Sequence, residues 1–157
     1  MPLKYIPGDL IKLALAGQFD VIVHGCNCFC TMGSGVAGAI ARAPEFAPAV
    51  LADRQTMKGD YLKLGTYTYA VCPPNVTVIN AYTQYDYGSS GRHVEYLAVK
   101  NCLERVAKNF MGNNGPWRLN RIGIPKIGAG LGGGDWAIIE DIIKREMHFC
   151  DVTVVVL

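Results

Sequence analysis

Five of the seven residues from 128 to 134 are glycine, in the stretch IPKIGAGLGGGDW that spans 124–136. Glycine loses more conformational freedom on folding than any other residue. A run this dense must be held by flanking structure and must serve something that side chains would obstruct. A second run, Gly33-Ser-Gly-Val-Ala-Gly38, has the same G-x-G-x-x-G spacing as Gly128-Ala-Gly-Leu-Gly-Gly133. Two such loops, each ahead of a helix, offer free backbone amides that can converge on an anion.

The segments around the loops alternate in period. Residues 4–6 read as a short strand, and Asp9 is a favoured N-cap for a helix over 10–16. VIVH at 21–24 is β-branched and apolar, a buried strand. A helix over 35–42 follows the first loop, and Pro44 and Pro48 punctuate a second helical piece reaching Met57. Residues 66–71 alternate Thr and Tyr like a strand near a sheet edge, and 76–81 form another strand. Val94, Leu97, Cys102, Val106 and Phe110 share one face of a helix over 93–110. A strand at 121–125 leads into the second loop, Asp135 starts a helix, and 152–157 close the chain with an apolar strand. Strands alternating with helices predict an α/β layered domain with a mostly parallel sheet. Ligands of such sheets gather at the carboxyl ends of the strands, where both glycine loops fall.

The chain is read as a single domain over 1–157, long enough to bury roughly 70% of its unfolded surface. The net charge is +2 with Lys and Arg scattered, so no basic footprint marks a dedicated nucleic-acid surface and no charged block marks a membrane. No signal-peptide core and no spanning apolar run is seen, and the expected location is cytoplasmic. Six cysteines then read as free thiols. Cys26, Cys28 and Cys30 alternate rather than follow zinc-ligand spacing, so no metal and no cofactor are expected.

Several phosphate binders are set aside. Eight residues separate His24 from Gly33, whereas the dinucleotide fingerprint follows its strand closely. After the second loop only one helix and one strand remain, and no acidic residue follows that strand to hold a ribose. No G-x-x-x-x-G-K-[ST] occurs, no cysteine has an arginine six positions later, and no Asp-x-Asp pair exists.

The order of the motifs resembles the macro domain family over nearly the whole chain. The segments that carry the resemblance are Gly8-Asp9-Leu10, VIVHGCNCFCTMGSGVAGAIA, KGDYLKLGTYTY, VINAYTQ and IPKIGAGLGGGDW. The details CNCxxxMGSGVA, NAYTQ and GLGGGDW look most like the branch that processes ADP-ribose 1″-phosphate. The resemblance implies a three-layer α/β/α fold around a mixed, mostly parallel sheet, with a cleft for ADP-ribose across its top. It places the pyrophosphate between Gly33, Ser34, Gly35, Val36 and Ala37 on one side and Ile127, Gly128, Ala129, Gly130, Leu131 and Gly132 on the other. Asp9 and the Leu10 amide would hold the adenine, and Asn27 the distal ribose.

Each role has a structural competitor. Asp9 and Asp135 also suit N-caps. Asn27 also suits a turn bonded to its own backbone. His24 ends a buried strand and also suits the core. Asn80 and Gln84 also suit loop satisfaction, and Tyr82, Tyr85 and Tyr87 the packing of the sheet edge or the cover of a ribose. The resemblance has departures too. No aromatic follows the last strand to stack adenine. The branch that frees glutamate side chains uses a lysine after the strand at 76–81 and an acid in the second loop; here those places hold no lysine and Gly132. The leading expectation is a hydrolase of ADP-ribose 1″-phosphate using His24, Asn27, Asn80 and Asp135. The alternatives are a hydrolase of ADP-ribosyl groups on protein or nucleic acid, and a non-catalytic ADP-ribose reader.

Overall fold

The structure is a computed structural model and describes residues 2–88, 91–112 and 119–157. Six strands form one sheet: β1 (Lys4–Pro7), β2 (Val21–Cys26), β3 (Tyr67–Cys72), β4 (Val76–Tyr82), β5 (Arg121–Ile124) and β6 (Asp151–Val156). Their order is β1-β6-β5-β2-β4-β3. Every pairing is parallel except the antiparallel β3–β4 hairpin, which puts the Thr/Tyr strand at the edge. The helices are α1 (Leu10–Leu15), α2 (Gly35–Arg42), α3 (Ala47–Arg54), α4 (Tyr96–Phe110) and α5 (Trp136–Glu146).

Strand alternation divides the core into two layers. Val21, Val23, Ile79, Ala81, Ile122, Ile124, Val152 and Val154 pack with Val99, Leu103, Ile139 and Ile143 from α4 and α5. Ile22, Val76, Val78 and Val155 face the other way, onto Leu10, Ala14, Ile40, Phe46, Ala49 and Val50 from the α1–α3 side. Helices on both faces of a mixed, mostly parallel sheet give the three-layer α/β/α architecture. Among the described residues no helix is long and apolar enough to cross a membrane.

Most boundaries fall within one residue of the sequence reading, and three differences are larger. Strand β2 runs on through Gly25 and Cys26, because pairing with Ala81 and Tyr82 of β4 continues that far. The piece after Pro44 is a short 3-10 turn, Pro44–Phe46, before α3. Helix α4 starts at Tyr96 rather than at His93, because the amides of His93 and Val94 both donate to the Gly132 carbonyl, at 2.8 and 3.0 Å. Those two bonds tie the segment before α4 to the second glycine loop.

Candidate functional site

The carboxyl ends of β2, β4 and β5 open into a cleft of about 670 Å³. Its walls include Asn27, Thr31 and residues 33–37 on one side, and residues 125–128 and 130–132 on the other. Gly25, Cys26, Thr83 and Gln84 line it from the strand ends, with Tyr87 and Gly88 from the following loop. Both glycine loops therefore face one space, as their spacing predicts.

The first wall is held by Asn27. Its Oδ1 accepts from the Phe29 amide at 2.8 Å, and its Nδ2 donates to the Thr31 carbonyl and Oγ1 at 3.0 and 2.8 Å. Asn27 is thus a turn residue by its bonds and a cleft residue by its place. Ser34 is then the N-cap of α2, and its side chain makes no capping bond. The first-turn amides of an α-helix have no intrahelical acceptor, and the first turn of α2, residues 35–37, lies in the cleft lining.

The second wall is a set of tight turns. Gly133 donates to the Gly130 carbonyl at 3.0 Å and Gly134 to that of Gly128 at 2.8 Å. Among the described residues the amides of Gly130, Leu131 and Gly132 donate to no carbonyl. Gly128 and Gly133 have positive φ, at 75° and 70°. Gly130 and Gly33 are different: φ lies outside the left-handed region at both, and a Cβ there would meet nothing within 4 Å.

Three expected catalytic residues lie outside the cleft lining. His24 is fully buried, and its Nε2 donates to Asn80 Oδ1 at 2.7 Å. Burial pushes its imidazole down to about 4, against a smaller upward pull from that bond. Asn80, also fully buried, donates to the Ala49 carbonyl at 2.9 Å and to Thr68 Oγ1 at 3.1 Å. The pair sits under the α3 side of the sheet, next to a second buried group in which Tyr82 donates to Asp53 at 2.8 Å. Asp135 is exposed and caps α5, accepting from the Ala137 amide at 2.9 Å. Sequence order alone does not show that residues 24 and 80 point to the face opposite the second glycine loop; strand alternation does, once the register is known.

Asp9 and Leu10 also lie outside the cleft lining. Asp9 caps α1, and both capping bonds, from Ile11 and Lys12, fall on Oδ1. Ala129 is the one residue of the 127–132 set absent from the wall.

Thr31, Thr83, Pro125 and Lys126 line the cleft and were not singled out by sequence. Thr83 stands in the NAYTQ motif, which gave it no role of its own. Among the described residues the lining includes no carboxylate and no imidazole. Cys26 is a lining thiol that burial pushes well above its usual range, with Asp53 adding to the shift. The cleft is therefore a neutral, amide-rich surface with one cationic side chain, Lys126, at its rim.

A model of the macro domain family matches residues 23–143. The chain belongs to the macro domain family. A 17.5 kDa protein from the tk-vs intergenic region of Enterobacteria phage T4 is 39% identical over 165 residues, covering 99% of this chain and 96% of its own. A protein of unknown function from Bacteroides thetaiotaomicron superposes with a TM-score of 0.83 at 29% identity, covering 100% of this chain and 99% of that one. Thermosipho africanus DarTG, solved in complex with ADP-ribose, shares the fold with a TM-score of 0.76 at 15% identity. That match covers 98% of this macro domain and 42% of the DarTG chain.

Proposed function

We propose that the cleft binds ADP-ribose. The observation that carries this reading is the pair Gly33 and Gly130. Neither backbone conformation nor packing requires glycine at either place, yet both flank the cleft. What excludes a side chain there is an incoming ligand that lies against the backbone. The open amides of α2 and of residues 130–132 suit a pyrophosphate, which needs donors rather than a counter-charge from acids. Asn27 then stands at the distal ribose. Asp9 and Leu10 are assigned to adenine, with Asp9 Oδ2 outside the two capping bonds. Isothermal titration with ADP-ribose, NAD and ATP tests the reading. ADP-ribose is expected to bind tightest; equal or tighter NAD binding overturns it.

A second reading is hydrolysis of ADP-ribose 1″-phosphate. It is favoured by the α2 amides and the uncommitted Ser34 hydroxyl, which suit a further phosphate beside Asn27. With His24 and Asn80 bonded to each other in the core and Asp135 engaged as a cap, this chemistry rests on positioning and electrostatic stabilisation. The anomeric hydroxyl is a better leaving group than an ordinary alcohol, which lowers the demand on an acid. Phosphate release from ADP-ribose 1″-phosphate is the assay. ADP-ribose binding without phosphate release leaves the reader role and discards the phosphatase.

A further inference from the structure

The Thr83 hydroxyl has no hydrogen-bond partner, although the residue is 0% exposed. Buried hydroxyls are nearly always bonded, because leaving one unpaired forfeits its hydration with no return. The backbone around it is fully engaged. The Thr83 amide donates to the Ala81 carbonyl at 3.0 Å and the Cys26 carbonyl at 3.3 Å, and the Thr83 carbonyl accepts from the Glu95 amide at 2.8 Å. The side chain is therefore fixed at the end of β4, in the cleft lining, beside the residue that precedes Asn27. A Cβ at Gly25 would stand 2.8 Å from Thr83 Oγ1 and 3.2 Å from Ile127 Cγ1. Glycine at 25 is thus what leaves room for the hydroxyl and for Ile127 at the strand end, where Gly25, Thr83 and Ile127 all line the cleft.

We infer that Thr83 Oγ1 is a specificity-determining hydroxyl, held unpaired in the free protein to hydrogen-bond a hydroxyl of the ligand's distal ribose. The assignment rests on the ADP-ribose reading, which places that ribose at Asn27. Ile127 stands against the same position, so on this assignment its side chain turns aside when the ligand reaches the hydroxyl. A hydroxyl both donates and accepts, so it matches a sugar hydroxyl in either sense. Sites that hold a polar partner for a ligand hydroxyl discriminate strongly against ligands without one.

The test compares Thr83→Val and Thr83→Ser with wild type, using ADP-ribose and ADP as probes. Valine keeps the shape and removes the hydroxyl. Thr83→Val is expected to weaken ADP-ribose roughly tenfold and to leave ADP, which lacks the distal ribose, within about twofold. Thr83→Ser is expected to retain most of the ADP-ribose affinity. The ligand-free Thr83→Val protein is expected to melt at the same temperature or higher, because a buried orphan hydroxyl has been removed. Equal weakening of both ligands, no weakening, or a fall of several degrees in melting temperature overturns the assignment. A wild type that binds neither ligand overturns the ADP-ribose reading itself, and the ribose assignment with it. A wild type that binds ADP-ribose while Thr83→Val binds it equally overturns only the role of Thr83.

Discussion

In the second glycine loop a side chain at Gly128 would stand 2.7 Å from Val94, and one at Gly132 would stand 2.7 Å from the Gly128 carbonyl oxygen. One at Gly133 would stand 2.5 Å from the Gly91 carbonyl oxygen, and one at Gly134 would stand 2.6 Å from Val94. In the first loop Gly33 would meet nothing, and Gly35 only a Leu131 methyl at 3.9 Å. Both loops carry the same spacing, yet the second is folded against the segment before α4, whereas in the first only Gly38, inside α2, is crowded, by Arg42 and the Gly33 backbone at 3.1 Å. Most glycines of the dense run serve the protein's own packing. Gly130 is the exception there, and it behaves like Gly33.

The largest expected effect is therefore on stability, at Gly133. Alanine there must adopt a left-handed φ of 70° and overlap a backbone oxygen that cannot swing away. Strain and overpacking together are expected to cost roughly 3 kcal/mol. For a chain of this size that lowers the melting temperature by about 10 °C. Scanning calorimetry of Gly133→Ala beside Gly33→Ala checks it, with Gly33→Ala expected to melt within a few degrees of wild type. Equal melting of the two variants would erase the difference between the loops.

Next comes binding, at Gly130. Glutamate there has room in the fold and places a carboxylate where the pyrophosphate is assigned. Like charge and steric overlap are expected to weaken ADP-ribose by at least about 100-fold, with circular dichroism unchanged. Retained binding would mean that the open glycine is incidental and that the pyrophosphate lies elsewhere.

The same contrast shows what the sequence could reveal. The strand and helix periods, the parallel interior and the edge position of the Thr/Tyr strand were legible, since burial dictates each of them through local patterning. Residues 33–37, 127, 128 and 130–132 line the cleft; glycine density and strand ends pointed to the two loops, and the macro domain resemblance named the residues. The reason for each glycine was not legible, since it depends on Val94 and Gly91, which are distant in sequence. The place of His24 was not legible either. A histidine at a strand end beside a glycine loop reads as core first and as catalyst second. Only the pairing of β2 with β4 shows that it meets Asn80 on the α3 side. Thr83 stands in the NAYTQ motif without a role of its own; its signal is a missing partner, which exists only in three dimensions.

The smallest effect concerns His24, on the strand that feeds the open loop, and it extends the comparison to pH. A buried, neutral imidazole pushed down to about 4 takes up no proton until well below the 6.5 of an unfolded chain. Between those values the unfolded chain binds a proton that the folded chain does not. Stability contributed by neutral His24 is therefore fully present above pH 6.5 and is lost as pH falls toward 4. Between pH 7 and pH 5.5 the loss is expected to be about 1 kcal/mol. Asp53 acts in the opposite sense, because burial raises its carboxyl and the folded state then gains relative stability on acidification. The informative quantity is thus the difference in slope between wild type and His24→Gln, from urea unfolding at several pH values. Glutamine does not titrate, so its slope should be the flatter one. If instead His24→Gln removes a neutral-range pKa from the rate of phosphate release and leaves the stability slope unchanged, the imidazole reaches the cleft and acts on the substrate.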